Sequence, residues 1–398
     1  MKVLVLNSGS SSQKSRLYEL GDSLPDSPPE PLWSGQIEWR GEQAVLEFRV
    51  AGRPPSREEL RVAARAEATG RLLRALTAGG GANVAVVGHR IVNGGSEFFE
   101  PAPITPEVKS SIERMAAMAP LHNRVELEGI RLVEEALGPV PQVAVFDTAY
   151  HRRMPEAATV YPGPYEWVGR GIRRYGFHGI NHQYCAERAA QLLGRRLESL
   201  KLVTCHLGNG CSLAAIHDGC SVDTTMGFTP LEGLMMGTRS GSVDPGILLH
   251  ALRRLGLAPD ALDRVLNHES GLLGVSGVSA DFRAVAAAAE GGSARARLAL
   301  DLYADRVRQT IGAFAAALGG LDAVVFTGGV GEHAAPLRAE ICAGLAFLGL
   351  HLDAGRNASV PPDADTDVAE PSSPARILVV RAREELLIAR EVRRLLDE

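Results

Sequence analysis

No run of apolar residues reaches the ~18 that suggest a membrane span. The opening Met1-Lys2-Val3-Leu4-Val5-Leu6-Asn7 turns polar too soon for a signal peptide, and its apolar run reads as a strand. There is no excess of positive charge: 42 Lys and Arg against 47 Asp and Glu give a net charge of -5, which argues against a dedicated nucleic-acid binder. Cysteines are few and odd in number (Cys185, Cys205, Cys211, Cys220 and Cys342), which fits the reduced thiols of a cytoplasm. No C-x2-C pair occurs. Strand alternation would scatter Cys205, His206, Cys211, His217 and Cys220 over two faces, against a zinc site. Two familiar phosphate motifs are also missing. There is no Gly-x-x-x-x-Gly-Lys-Ser/Thr, and no Gly-x-Gly-x-x-Gly opening a helix within an early βαβ unit.

What is present suits a two-domain globular chain: 398 residues, 45% apolar and 22% charged. The stretch Val203 to Gly219 reads as strand, glycine turn, strand, second turn, and Gly208-Asn209-Gly210 leaves backbone N–H groups able to face an anion. An echo runs from Lys2 through Asn7-Ser8-Gly9-Ser10-Ser11-Ser12 to Tyr18. Two such hairpins suggest a duplicated domain holding one phosphate chain. Between them, Gln36–Arg40 and Ala44–Val50 read as strands, and Ser56-Arg57-Glu58-Glu59 as a capping box opening a helix with Leu60, Ala63, Leu72, Leu73 and Leu76. Ala85-Val86-Val87 reads as a buried strand ending at Gly88-His89-Arg90. Thr105-Pro106 starts a helix with Val108, Ile112 and Met115 on one face. Val143–Phe146 is a strand ending at Asp147. Met226 to Ser242 is a long glycine-rich loop of the kind that is more often functional than filler. Leu300, Tyr303, Val307, Ile311, Phe314 and Leu318 mark a buried amphipathic helix. Ala323–Phe326 is a strand feeding the glycine turn Gly328-Gly329-Val330-Gly331, and a last helix begins near Glu384. Strands alternate with helices, the α/β pattern in which ligands sit beyond strand C-termini.

Several residues in this frame can carry chemistry. Asn7, Ser10, Ser12 and Lys14 add donors beside the first turn. Arg90 and Arg239 stand beside glycines, and a planar guanidinium matches carboxylate and phosphate oxygens. Asp147 at a strand end and Glu384 at a helix start are candidate Mg²⁺ carboxylates. Of the histidines, His178 in Tyr175-Gly176-Phe177-His178-Gly179 ranks above His122 and His206, because its flanking glycines imply close backbone approach.

Longer segments carry a resemblance. They include Val5–Ser12, Gly88–Gly95, Ala119-Pro120-Leu121-His122-Asn123, Val145–Ala149, Arg173–Gly179, His206–Gly210, Ser270–Ser279, Phe326–Glu332 and Glu384-Glu385-Leu386. The most specific is Thr229-Pro230-Leu231-Glu232-Gly233-Leu234-Met235-Met236-Gly237-Thr238-Arg239-Ser240-Gly241. Together they resemble the acetokinase family, within the acetate and sugar kinase, Hsp70 and actin superfamily. The resemblance implies an α/β fold of two duplicated ribonuclease-H-like (actin-like ATPase) domains with a nucleotide cleft between them. The domains would be residues 1–149 and 150–383, with the helix of about 384–398 packing back on the first. It implies a cytoplasmic homodimer that moves the ATP γ-phosphoryl group reversibly to acetate with Mg²⁺ or Mn²⁺, giving acetyl phosphate and ADP, without nucleic acid or membrane as partners.

Carried over by position, Arg90 and Arg239 would hold the carboxylate and the transferring group, with His178 and Arg239 stabilising its transition state. His122 would support the same pocket. Asn7, Asp147 and Glu384 would organise the metal, and Asp147 would also serve catalysis. Val92, Leu121, Phe177 and Pro230 would enclose the acetate methyl. Ser10, Ser12, Lys14, His206, Leu207, Gly208, Asn209, Gly210, Gly328, Gly329, Val330, Gly331 and Glu332 would lie along the nucleotide, with Asp281, Phe282 and Arg283 near the adenosine. The chain departs from the family pattern at Asn93, Arg124, Ile180, Asn181, Ser242, His333 and Arg383. Alternatives are a propionate or butyrate kinase of the same family, an ATP-dependent conformational switch, and a catalytically silent nucleotide binder.

Overall fold

The computed structural model of the chain describes residues 1–9, 12–21, 28–40, 43–62, 64–79, 83–115 and 123–397. It divides into two compact units, Met1–Ala149 with Arg383–Glu398, and Tyr150–Ala382. The first unit holds a sheet of β1 (Lys2–Ser8), β2 (Ser12–Glu19), β3 (Trp33–Arg40), β4 (Gln43–Val50), β5 (Ser56–Arg61), β6 (Val86–Ile91), β7 (Ala102–Pro103) and β8 (Gln142–Phe146), in the order β5-β4-β3-β2-β1-β6-β8-β7. The second holds β9 (Leu202–Leu207), β10 (Cys211–His217), β11 (Cys220–Thr224), β12 (Ala323–Thr327), β13 (Thr366–Asp367) and β14 (Arg376–Val379), in the order β11-β10-β9-β12-β14-β13. Both sheets share one plan. A central strand pairs antiparallel with the strand that follows it, and parallel with a later strand on its other side. That is the expected duplication, an α/β fold with mixed sheets.

The central strands are buried on both faces, which their unbroken apolar runs require: Val3, Leu4 and Val5, Leu202 and Val203, and Ala323 to Phe326 are all fully buried. The helix Ala294–Leu318 behaves as its spacing predicts. Ser293 caps its N-terminus by accepting from Ala296 N–H, its buried stripe includes Tyr303, Val307, Ile311 and Phe314, and Gly319 ends it in the left-handed region. The helix Pro106–Met115 starts where Thr105 accepts from Val108 N–H, 3.3 Å away. The helix Glu384–Asp397 lies against β6 so closely that a Cβ at Gly88 would come within 2.8 Å of Ile388 and Val392.

Three local readings are corrected. Ser56–Arg61 is a strand, because it pairs along β4 from Gln43↔Arg61 to Phe48↔Ser56; the ladder overrides the capping signal, and the helix begins only at Arg65. Ala63 lies outside the described residues. β6 does not stop at Gly88 but runs to Ile91, held on both sides, with Leu6↔His89 and Arg90↔Val145 in register. Gly328 to Glu332 is the body of a short helix, Gly328–His333, rather than a turn. Its carbonyls at Gly331 and Glu332 each accept from the buried Arg338 Nη1 at 2.8 Å, which satisfies its C-terminal end.

Candidate active site

In the first unit the chemistry gathers at the C-terminal ends of β1, β6 and β8. Asn7, the penultimate residue of β1, donates its amide to Glu384 Oε2 at 2.7 Å and to Glu385 Oε1 at 2.9 Å, both at the start of the helix Glu384–Asp397. Arg90 Nη2 donates to Asp147 Oδ2 at 2.7 Å, and this pair is almost wholly buried. Burial works against the Arg90 charge, but Asp147, Glu384 and Glu126 together more than offset it and raise its pKa. Arg90 Nε is buried with no hydrogen-bond partner among the described residues. Val92 is buried, and its N–H is held by both oxygens of Glu126, at 3.1 and 3.2 Å. Burial pushes the Glu126 carboxyl up to about 8, opposed by Arg90.

Glu126 and Glu385 were not among the expected site residues. A signal for Glu126 is present: it falls on the apolar stripe of the helix Asn123–Leu137 with Leu127, Ile130 and Val133. Asn93 Oδ1 accepts from Gly95 N–H at 2.8 Å, shaping the loop after β6. Ser12 is half-buried and Lys14 exposed on the neighbouring strand. Ser10, Leu121 and His122 lie outside the described residues.

In the second unit the parallel pair β9 and β12 carries the glycine elements side by side, with Thr327 opposite His206. Gly328 has φ +76, and a Cβ there would come within 2.7 Å of Leu207 O, so only glycine lets the two strand ends meet. The turn Gly208–Gly210 closes on itself through Gly208 N–H to Gly210 O. Gly237 N–H donates to Asn209 O, and a Cβ at Gly237 would lie 3.0 Å from Ala280 O. The Asp281 segment is therefore beside the turn. Asp281 itself caps the helix Phe282–Glu290 and pairs with Arg283, and Phe282 packs edge-on to Tyr303. Glu332 Oε1 accepts from Ala382 N–H, so its carboxylate is already engaged. The loop Met226–Ser242 forms no helix or strand. Within it Ser242 Oγ accepts from Gly233 N–H, which gives that departure a structural role.

His178 sits in the left-handed region at φ 56 and begins the helix Gly179–Leu193. Its ring stacks on His206 at 4.2 Å, and its Nδ1 lies 2.9 Å from Ser212 Oγ. Asn181, another departure, donates to His206 Nδ1 at 2.6 Å. The Gly210 backbone serves as a ruler: a Cβ there would lie 3.4 Å from His178 Nε2 and 3.7 Å from Arg239 Nη1. Both side chains thus flank one point on the glycine turn. Arg239 is half-buried, and it donates to the Pro230 carbonyl at 3.2 Å and to the Met236 sulfur at 3.7 Å. No carboxylate pairs with it among the described residues, and burial lowers its pKa. A guanidinium partly withdrawn from water without a counter-charge carries a cost that an anion would offset. Phe177 is buried, with its carbonyl accepting from His151 Nε2.

The cysteines are all free, and burial pushes the Cys211 thiol up to about 11, unlike a metal-binding thiolate. Among the described residues no three His, Cys, Asp or Glu side chains form a metal cage, and no helix is long and apolar enough to cross a membrane.

The family model described as the Acetokinase family matches residues 2–390. A protein of Gloeobacter violaceus named acetate kinase is 55% identical over 401 residues, covering 98% of this chain and 98% of its own. The crystal structure of Porphyromonas gingivalis acetate kinase superposes with a TM-score of 0.88 at 38% identity, covering 99% of each chain. That of a propionate kinase from Francisella tularensis superposes with a TM-score of 0.88 at 36% identity, covering 98% of each.

Proposed function

The chain belongs to the acetokinase family, and from that premise we propose that it transfers the γ-phosphoryl group of ATP reversibly to acetate, giving acetyl phosphate and ADP. The observation that carries this reading is Arg239, a half-buried guanidinium with no acid partner among the described residues, beside His178 on a glycine turn. That is a seat for a charged group in transit, which a conformational switch does not need.

Acetate is ionised at neutral pH, so no residue has to remove a proton from the nucleophile. Catalysis then rests on alignment and on N–H donors, charged or neutral, that offset the charge spreading over the transferred group. Arg239 and the Nε2 edge of His178 supply two such donors. Arg90, held rigid by Asp147, offers its remaining N–H groups to the acid. Of the residues proposed to receive the methyl, Val92 and Phe177 are buried and apolar. The ends of β9 and β12 carry the nucleotide phosphates, with Asn209, Gly210 and the helix Gly328–His333 alongside. Asn7, Asp147 and Glu384 are hard oxygen donors that fit Mg²⁺, which takes one or two carboxylates and keeps waters rather than needing a cage. Bound there, Mg²⁺ would neutralise phosphate charge.

A second copy of the chain is the proposed partner. Ile247, Leu249, Leu252 and Leu255, on and just after the helix Pro245–Arg253, leave 56%, 48%, 37% and 65% of their surface exposed, an apolar patch that association would cover.

The propionate kinase likeness makes the acid the point to test. One methylene changes discrimination by ~1–3 kcal/mol, so kcat/KM should fall about 10- to 200-fold from acetate to propionate and further to butyrate. A preference for butyrate refutes the acetate assignment. ATP hydrolysis indifferent to any acid refutes the kinase.

A further inference from the structure

Behind His178 runs a buried polar chain that the reaction as described does not use. Ser212 Oγ on β10 lies 2.9 Å from His178 Nδ1 and 2.8 Å from His182 Nε2. His182 Nδ1 in turn lies 2.7 Å from Thr204 Oγ1 on β9. Ser212, His182 and Thr204 are all fully buried. Burial, with His151 and His206 nearby, holds the His182 pKa well below the usual imidazole range, so His182 is neutral, with one N–H and one lone pair.

Three proton arrangements fit these contacts. In the first, His178 Nδ1–H and His182 Nε2–H both donate to Ser212 Oγ, and the buried Ser212 O–H is left without an acceptor among the described residues. In a second, His178 Nδ1–H donates to Ser212, Ser212 O–H to His182 Nε2, and His182 Nδ1–H to Thr204 Oγ1. The Thr204 O–H then has no acceptor, since its hydroxyl has no other hydrogen bond among the described residues. A buried donor left unmade is costly. In the third, Thr204 O–H donates to His182 Nδ1, His182 Nε2–H to Ser212 Oγ, and Ser212 O–H to His178 Nδ1. Every buried proton of the chain is then used, and the remaining ring proton of neutral His178 sits on Nε2. That is the edge facing Gly210 and Arg239.

We propose that Thr204, His182 and Ser212 form a one-way hydrogen-bond chain that locks His178 in its Nε2–H tautomer, making them positioning residues for the phosphoryl-stabilising histidine. The inference rests on the reading of His178 as a donor to the transferred group. The starting point of the lock is a threonine hydroxyl two side chains away from His178. The chain also anchors a residue whose left-handed backbone has no side-chain helix cap of its own.

The test uses the intact enzyme labelled with ¹⁵N-histidine, with the His178 signals assigned by their loss in His178→Ala. The lock predicts an unprotonated Nδ1 and a protonated Nε2 in the parent. Thr204→Val removes the proton that sets the direction and should bring a measurable Nδ1–H population at His178. Ser212→Ala should lower kcat on the order of 10-fold or more, with both KM values changed less than about threefold, as expected when a catalytic histidine loses its tautomer control. Thr204→Ser should restore both the parent spectrum and turnover. A parent His178 carrying its proton on Nδ1 overturns the lock. So does a Thr204→Val spectrum identical to the parent, together with Ser212→Ala turnover within twofold. If the tautomer is as predicted but His178→Ala turns over normally, the assigned role of His178 fails instead, which separates the two claims.

Discussion

Replacing Gly210 with alanine places one methyl group at the point on which the proposed chemistry converges. The new carbon would lie 3.4 Å from His178 Cε1 and Nε2 and 3.7 Å from Arg239 Nη1, ordinary contact distances that need no backbone shift. Gly210 is not among the positive-φ glycines, so alanine suits its backbone and stability should change by less than ~1 kcal/mol. Function should respond very differently. An oxygen accepting from His178 Nε2 and Arg239 Nη1 would need the space that the methyl takes. Each hydrogen bond to a charged group contributes about 1.5–3 kcal/mol, so losing both costs about 3–6 kcal/mol. At about 1.4 kcal/mol per factor of ten, kcat/KM for acetate should fall by roughly 10²- to 10⁴-fold. ADP release with saturating ATP measures this, and the urea midpoint of the same preparation reports the fold. A variant with parental stability and turnover within about threefold of the parent would refute the placement of the phosphoryl group.

Arg239→Ala should lower kcat by on the order of 10²-fold or more while thermal stability holds or rises, because it removes a half-buried charge without an acid partner among the described residues; a large fall in Tm at near-normal kcat contradicts this. Arg338→Met strips the guanidinium from the carbonyls of Gly331, Glu332 and Asn357 and from Asn357 Oδ1. It should cost at least about 3 kcal/mol by urea unfolding and raise the KM for ATP. Stability should also depend on pH in two opposed limbs. Burial holds His89 and His151 at about 4, so below about pH 6.5 the unfolded chain takes up protons that the folded chain refuses, and stability falls toward pH 4. Burial holds Glu126 at about 8, so the folded chain keeps a proton that the unfolded chain releases near pH 4.5, and its contribution falls as pH rises between those values. Each such proton changes stability by about 1.4 kcal/mol per pH unit. Urea midpoints should peak near pH 6.5, and Glu126→Gln should flatten the alkaline limb; an unchanged limb contradicts the burial argument.

The parts of the fold legible in the sequence are those whose local and tertiary preferences agree. The two hairpins, the helix Ala294–Leu318 with its stripe and glycine stop, and the strand ends at Asp147 and Thr327 all follow from periodicity and punctuation. The capping signal at Ser56-Arg57-Glu58-Glu59 points to a helix because it is local, whereas strand pairing with β4 is decided by a partner elsewhere in the chain. Within the site, residues beside glycines were visible, and Arg239, His178, His206 and Gly210 prove to be neighbours. The supporting residues were not. Ser212, His182 and Glu126 look like ordinary core or helix positions, and their meaning lies in contacts spanning tens of residues, such as Ser212 to His178. The register of β9 and β10, which brings Ser212 opposite His206, cannot be read from either strand alone.

The central claim is that a carboxylate is the phosphoryl acceptor, and trapping the product with hydroxylamine tests it most directly. With ATP, Mg²⁺ and acetate, the parent should form acetyl hydroxamate in step with ADP release, and Arg239→Ala should lose both together. ADP release that proceeds without acetate, with no hydroxamate formed, would contradict the account.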